Sequence, residues 1–155
     1  MKNYPIIFGF RDLVQGEGYL AGVAVEGRAL IHEEEGEYWI EGVHPGGFSA
    51  VGHSPAAVLE DFRRSYREIL FDIATDASSF EAFEEEVERF YHGHGASERM
   101  FREWQAAVED VRAGRTDADW LGKRSADLPS EIKVERIQEP STSNNEVEQG
   151  TAVAA

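Results

Sequence analysis

The chain has no cysteine among its 155 residues. This absence excludes disulfides, thiol catalysis and cysteine-ligated zinc or iron–sulfur centres, and it is typical of proteins from a reducing compartment. No apolar run approaches the roughly 20 residues that a membrane span needs, and residues 1–5 lack the apolar stretch of a signal peptide. We therefore expect a soluble, cytoplasmic protein.

Basic residues are also scarce, with 15 lysines and arginines against 30 aspartates and glutamates and a formal net charge of −15. Proteins that bind nucleic acid need a cationic surface for the phosphates, so this balance argues against nucleic acid as the main ligand. A basic protein partner fits the negative net charge better than nucleic acid does. The 41% hydrophobic content is enough for one core at this length.

Short β-branched and aromatic runs, separated by glycines, fill residues 1–53 and predict antiparallel strands. We predict strands over 6–14, 19–25, 29–31, 38–40 and 48–51, with turns at 15–18 and 34–36. The pair Glu26-Gly27 is predicted to separate two of these strands. The result is an antiparallel β-meander with one face to cover.

Helices are predicted after this point. Ser54-Pro55 is typical of a helix start, and the apolar residues behind it recur every three or four positions: Leu59, Phe62, Tyr66, Ile69, Leu70 and Ile73. A capping box over 78–81 begins a second helix that ends near Gly93. A third helix runs from about Ser97 to Gly114, with Phe101, Trp104, Val108 and Val111 on its buried side.

The sequence thus predicts an α+β fold, an antiparallel meander covered by a long α-helix and followed by a helical extension. Residues 1–92 form the sheet-and-helix domain, and 93–138 form the extension, with a short edge strand at 132–135. Residues 139–155 contain no aromatic side chain. We expect this last segment to be a disordered tail, because it has too little apolar surface to offset the entropy of ordering.

The acidic residues are concentrated in the first two thirds of the chain. Residues 1–53 carry three basic and eight acidic side chains, residues 54–95 carry four and ten, and residues 96–138 carry eight and nine. Two clusters stand out: Glu33, Glu34, Glu35 and Glu37, and Glu81, Glu84, Glu85, Glu86 and Glu88. A basic partner would relieve their repulsion; the other interpretation is a solvated surface that promotes solubility.

The segment from Arg28 to Ala74 resembles the HicB antitoxin family. A strand with a charged end (29–37) precedes Tyr38-Trp39, and Pro45-Gly46-Gly47 leads to the turn Gly52-His53-Ser54, which opens a long helix. The resemblance implies a partial ribonuclease-H-like fold. It also implies a non-catalytic protein that binds a small basic toxin of the HicA type, which cleaves messenger RNA.

The acidic hairpin within this segment is the predicted partner-binding site. Neighbouring residues in a strand point to opposite faces, so one of Tyr38 and Trp39 should be exposed and could anchor an interface. The candidate partner-binding residues are Glu33, Glu34, Glu35, Glu37, Tyr38 and Trp39. The sequence leaves open whether the protein also forms a homo-oligomer.

Two other functions are kept as alternatives. A ribonuclease-H-like sheet could hold Mg²⁺ for nucleic-acid hydrolysis, but Glu33 to Glu37 fall at a turn and Glu41 stands alone, so converging ligands are not predicted. The spacing His92-Gly93-His94 is a weak metal motif. We therefore predict no catalytic residue, metal or cofactor. The second alternative is an acidic mimic of DNA that occupies a DNA-binding protein.

Overall fold

The computed structural model describes residues 1–93, 97–121 and 126–138. The strands are β1 (Lys2–Gly16), β2 (Tyr19–Glu34), β3 (Glu37–His44), β4 (Gly46–Gly52) and β5 (Glu131–Arg136); the helices are α1 (Pro55–Asp76), α2 (Phe80–Gly93) and α3 (Glu98–Arg112). The predicted α+β class, with an antiparallel sheet and helices, is confirmed. The predicted tail at 139–155 lies outside the described residues.

Strand β2 organises the sheet. Along one side it pairs antiparallel with the whole of β1. Along its other side, residues 21–26 pair with β5 and residues 28–34 pair with β3. Strand β4 continues the sheet beyond β3, so the order β1-β2-β3-β4 is joined by β5, which occupies the remaining length of β2.

The predicted break at Glu26-Gly27 is wrong, because β2 runs through both residues as a single strand of 16 residues. Gly27 lies where the partners of β2 change from β5 to β3. A Cβ atom at this position would come within 2.6 Å of Phe8 Cζ and 2.7 Å of the carbonyl oxygen of His44. Glycine is needed here for close packing rather than for a turn.

Helices α1 and α2 cover one face of the sheet. Alternate residues of β2 (Tyr19, Ala21, Val23, Val25) are buried beneath them, as expected for a strand with one covered face. In α1, Phe62 packs edge-on against Phe8 and stacks on Phe48, with ring centroids 5.1 and 4.2 Å apart. These three rings join α1 to strands at opposite sides of the sheet.

Serine caps fix where the helices begin. Ser54 Oγ accepts a hydrogen bond of 3.1 Å from the backbone N–H of Ala57, so α1 starts where its sequence predicted. In α2 the cap is Ser79, which accepts from the N–H of Ala82 at 3.1 Å. The predicted capping box over 78–81 is therefore displaced by one residue, because Ala82 rather than Glu81 is the third residue of the helix.

Among the described residues, no helix is both long and apolar enough to cross a membrane.

Helix α3 covers part of the opposite face, a placement that the sequence did not predict. From Arg28 to His32, β2 is buried on both sides, because Leu30 and Val43 pack against α3 in a second apolar cluster. Its helical members are Met100, Trp104, Ala107 and Val108. Phe101 was predicted on this buried side but is 45% exposed, since the packed face is set by Met100 and Ala107.

Tyr66 carries a buried hydroxyl group for which the described residues provide no hydrogen-bond partner. Its ring is fully buried and packs against Phe10 and Phe48, and this burial raises the pKa of Tyr66. We expect Tyr66→Phe to raise the free energy of unfolding by about 1 kcal/mol, because an unsatisfied polar group is removed without changing the ring. Urea unfolding monitored by circular dichroism would measure this. A loss of stability would show that the hydroxyl is satisfied.

Candidate protein-interaction site

The β2–β3 hairpin brings the six predicted residues together at one end of the sheet. Glu33 lies opposite Tyr38 and Glu34 lies opposite Glu37 in the antiparallel register. Glu35 and Gly36 form the turn, with φ angles of 52° and 80°. Two successive positive φ values are what a two-residue type I′ hairpin turn requires.

The turn holds glutamates where folding alone would disfavour them. Asparagine or glycine is strongly preferred at the first turn position, because other side chains are strained at positive φ; here Glu35 occupies it. On either side of the turn, Glu34 and Glu37 are directly opposed across the two strands. Like charges in this arrangement repel and reduce stability. The hairpin therefore retains negative charge at the expense of its own stability.

The four glutamates differ in what their carboxylates contact. Glu33 accepts hydrogen bonds from the hydroxyls of Tyr4 at 2.7 Å and Tyr38 at 3.1 Å, and the bond from Tyr4 is the main reason why the pKa of Glu33 is lowered. Glu37 lies 3.6 Å from His53 Nδ1. Glu34 and Glu35 form no ion pair with any described residue. Glu33 thus has a structural role, and the other three carry the exposed charge.

Tyr38 and Trp39 lie on opposite faces of the sheet. Tyr38 packs against the main core, and its hydroxyl is occupied by Glu33. Trp39 lies on the other face, opposite Val51 of β4. The side chain of Val51 is 74% exposed. The described part of the chain leaves Val51 uncovered. Trp39 is therefore the better candidate for an interface anchor.

A buried histidine packs against the ring of Trp39. The ring of His32 is 4% exposed and stacks on Trp39, with centroids 5.1 Å apart and planes inclined by 22°. Its Nδ1 lies 2.7 Å from Asn3 Oδ1 and its Nε2 lies 2.8 Å from Glu41 Oε2. These contacts hold Trp39 and Glu41 in fixed positions beside the hairpin, so little side-chain entropy is left to lose on binding.

The second acidic cluster, on α2, is partly neutralised. Arg89 forms ion pairs with Glu85, at 2.8 Å, and with Glu86. The arginines of α3 are likewise paired along their own helix, Arg99 with Glu103 and Arg102 with Glu98. The described surface of α3 therefore presents alternating charges. Beside the hairpin, the basic groups that the described residues place near its glutamates are His53, near Glu37, and Lys2, which lies opposite Glu33 on β1.

Within the described residues, no group of three or more histidine, aspartate or glutamate side chains could hold a metal ion. His44 and His92 come near each other, with ring centroids 6.2 Å apart, whereas His94 lies outside the described residues. Burial lowers the pKa of His44, and the nearby His92 and Arg28 contribute.

Arg28 is a structural centre that the sequence analysis did not identify. The residue is 8% exposed, and its guanidinium donates to Ser130 Oγ at 2.8 Å, to the carbonyl of Ala126 at 3.1 Å and to the carbonyl of Leu128. It also lies 5.1 Å from the ring centre of Trp104. The sequence signal for this role was a single arginine within the apolar run of β2, because a buried charge needs specific partners.

A cavity of about 370 Å³ lies between the start of β1, the first turns of α1 and the end of α3. Its lining is mainly apolar and includes Ile6, Ile7, Leu59, Trp104, Val108 and Trp120. No local sequence pattern could reveal it, because the lining residues come from separate segments of the chain.

Comparison with protein-family models, with curated proteins and with solved structures found no match for this chain.

Proposed function

We propose that this chain is a non-catalytic protein-binding module, similar to the HicB antitoxins, that masks the RNA-binding face of a small basic toxin. The observation that carries the proposal is the β2–β3 hairpin. Glu35 occupies a strained turn position beside the opposed pair Glu34 and Glu37, so three carboxylates are kept together against the preferences of the fold. Local strain of this kind is concentrated at functional sites.

The charge of the hairpin and the apolar patch beside it support the same kind of partner. The three exposed carboxylates favour encounter with a cationic surface and increase the association rate at low salt. Trp39 and Val51 add an apolar patch beside them, and apolar anchors surrounded by charge are typical of protein interfaces. The resemblance of Arg28 to Ala74 to the HicB family adds the expectation that the cationic surface belongs to an RNA-cleaving toxin.

The decisive experiment compares two variants with the same change in net charge. The hairpin variant is Glu34→Gln, Glu35→Asn and Glu37→Gln, which keeps Glu33 and its tyrosine contacts. The control variant is Glu68→Gln, Asp72→Asn and Glu84→Gln on the helices, where none of the three has an ion-pair partner among the described residues. Each protein is immobilised and used to capture proteins from the native host at low and high salt.

We expect the unmodified chain and the control to retain the same small basic protein at low salt and release it at high salt. The hairpin variant should bind it at least tenfold more weakly, and with a flatter salt dependence, because the charges that attract it are gone. The purified captured protein should cleave RNA, and the unmodified chain should suppress that cleavage. Equal retention by the hairpin variant would refute the proposed site, whereas capture of a DNA-binding enzyme would favour the DNA-mimic alternative.

The same hairpin variant should be more stable than the unmodified chain when no partner is present. Asparagine suits the positive φ of position 35, and the opposed negative charges are removed, so the free energy of unfolding should rise by about 0.5–1 kcal/mol. Weaker binding together with higher stability would show that binding was lost without damage to the fold. Lower stability would contradict the strain described for Glu35.

A further inference from the structure

Strand β4 ends the sheet on one side without the protection that the other outer strands have. Native proteins protect sheet edges with charges, proline or covering side chains, because unpaired backbone groups can pair with another chain. In β1, Pro5 has no N–H, and Arg63 Nε donates to the carbonyl of Gly9 at 3.1 Å. In β5, four of six residues are charged: Glu131, Lys133, Glu135 and Arg136.

The sequence of β4, Gly-Gly-Phe-Ser-Ala-Val-Gly, contains neither charge nor proline, although 29% of the whole chain is charged. Its Phe48 and Ala50 pack on the core, while Ser49 and Val51 lie on the uncovered face. In an antiparallel edge strand, every second residue directs its N–H and C=O outward. In the described ranges, no hydrogen bond reaches this outer edge and no strand lies beyond it.

The surface beside β4 selects the side chains of an added strand. On the uncovered face, Ser49 lies opposite Glu41 and Val51 lies opposite Trp39. Strands are spaced about 4.8 Å apart, so an arginine or lysine on an added strand could pass over the short Ser49 side chain and approach Glu41. An apolar residue two positions away would lie against Val51, since alternate residues share a face.

We propose that β4 accepts an extended, basic segment of the partner as a sixth strand of the sheet, with a basic and an apolar residue alternating on the uncovered face. The inference rests on the proposed function, because it describes how the partner of the acidic hairpin is bound. Backbone hydrogen bonds to β4 supply affinity, and the pair Glu41 and Val51 supplies specificity. A second copy of this chain is a poorer occupant, because each copy carries a net charge of −15.

The test uses a nine-residue peptide of sequence Thr-Arg-Thr-Val-Thr-Arg-Thr-Val-Thr as the probe, with blocked ends. A second peptide has alternate backbone nitrogens methylated on the edge that would face β4, and a third has glutamate in place of arginine. Binding is followed on the full chain by NMR, and protection of individual β4 amides is measured by hydrogen exchange. The variant Val51→Lys places a charge on the edge, and Phe101→Lys is the control at an exposed apolar residue of α3.

We expect the first peptide to slow exchange of the outward-facing amides of β4 at least tenfold. The methylated and glutamate peptides should lose that protection, as should Val51→Lys, whereas Phe101→Lys should keep it. If the arginine peptides bind equally well with and without methylation and leave β4 unprotected, attraction to the hairpin alone explains binding; the strand-addition proposal is then overturned while the proposed function stands.

Two further outcomes also overturn the inference. Concentration-dependent protection of β4 without peptide, together with dimers in sedimentation, would show that a second copy occupies the edge. Absence of any peptide binding would show that β4 does not accept a strand of this chemistry. Neither outcome decides the capture experiment, in which the hairpin variant is judged against the host protein.

Discussion

Replacing Phe62 with alanine is expected to lower the free energy of unfolding by about 4 kcal/mol. The ring is fully buried in α1 and contacts Phe8 and Phe48, which belong to strands at opposite sides of the sheet. Its removal loses the transfer free energy of the ring and leaves a cavity that three separate elements cannot close without moving. Urea or thermal unfolding followed by circular dichroism would give the change.

The matched control is Phe71→Ala in the same helix, because Phe71 is 45% exposed. Both substitutions change helix propensity by the same amount, so the difference between them reports burial. We expect Phe71→Ala to change stability by less than about 1 kcal/mol. Similar losses for the two variants would contradict the position of α1 in the core.

Replacing Arg28 with methionine should cost about 3 kcal/mol of stability. Its guanidinium satisfies the carbonyls of Ala126 and Leu128 and the hydroxyl of Ser130, and it packs against Trp104. Without it, acceptors in a partly buried segment lose their charged donor, and each unsatisfied group is costly. Hydrogen exchange should show the loss first in residues 126–130, which Arg28 joins to β2.

Two variants separate charge from geometry at this position. Arg28→Lys keeps the positive charge but replaces a planar fork with a single ammonium group, so we expect it to recover only about half of the loss. Arg99→Met removes an arginine whose side chain is 76% exposed on α3, and it should cost less than about 0.5 kcal/mol. If Arg28→Met were as mild as Arg99→Met, the contacts of Arg28 would contribute little to stability.

The features that could be predicted from the sequence are those that local chemistry determines. Ser54-Pro55 and Ser97 begin helices because a hydroxyl cap satisfies free backbone N–H groups, whatever the rest of the fold does. The turn at 34–36 was predictable because Gly36 supports a positive φ. That the four glutamates share one hairpin was also predictable, because they are adjacent in sequence.

The features that were missed depend on contacts between distant segments. Gly27 was interpreted as part of a break between two strands, because nothing in the sequence shows that His44 and Phe8 crowd that position. The choice between Phe101 and Met100 on α3 depends on how the helix is rotated against Leu30 and Val43. The exposed edge of β4 could not be predicted either, because an edge is defined by which strands are its neighbours.

The pairing of β5 with β2 has a consequence for folding of the chain during its synthesis. Strands β1 and β2 are joined by a tight hairpin, whereas β5 pairs with residues 21–26 from more than 100 positions later. Contacts of such large sequence separation form late, since a long loop must be closed first. Residues 21–26 of β2 therefore lack a partner on this side until residues 131–136 have left the ribosome, and a nascent chain that stalls earlier exposes this unpaired stretch to aggregation.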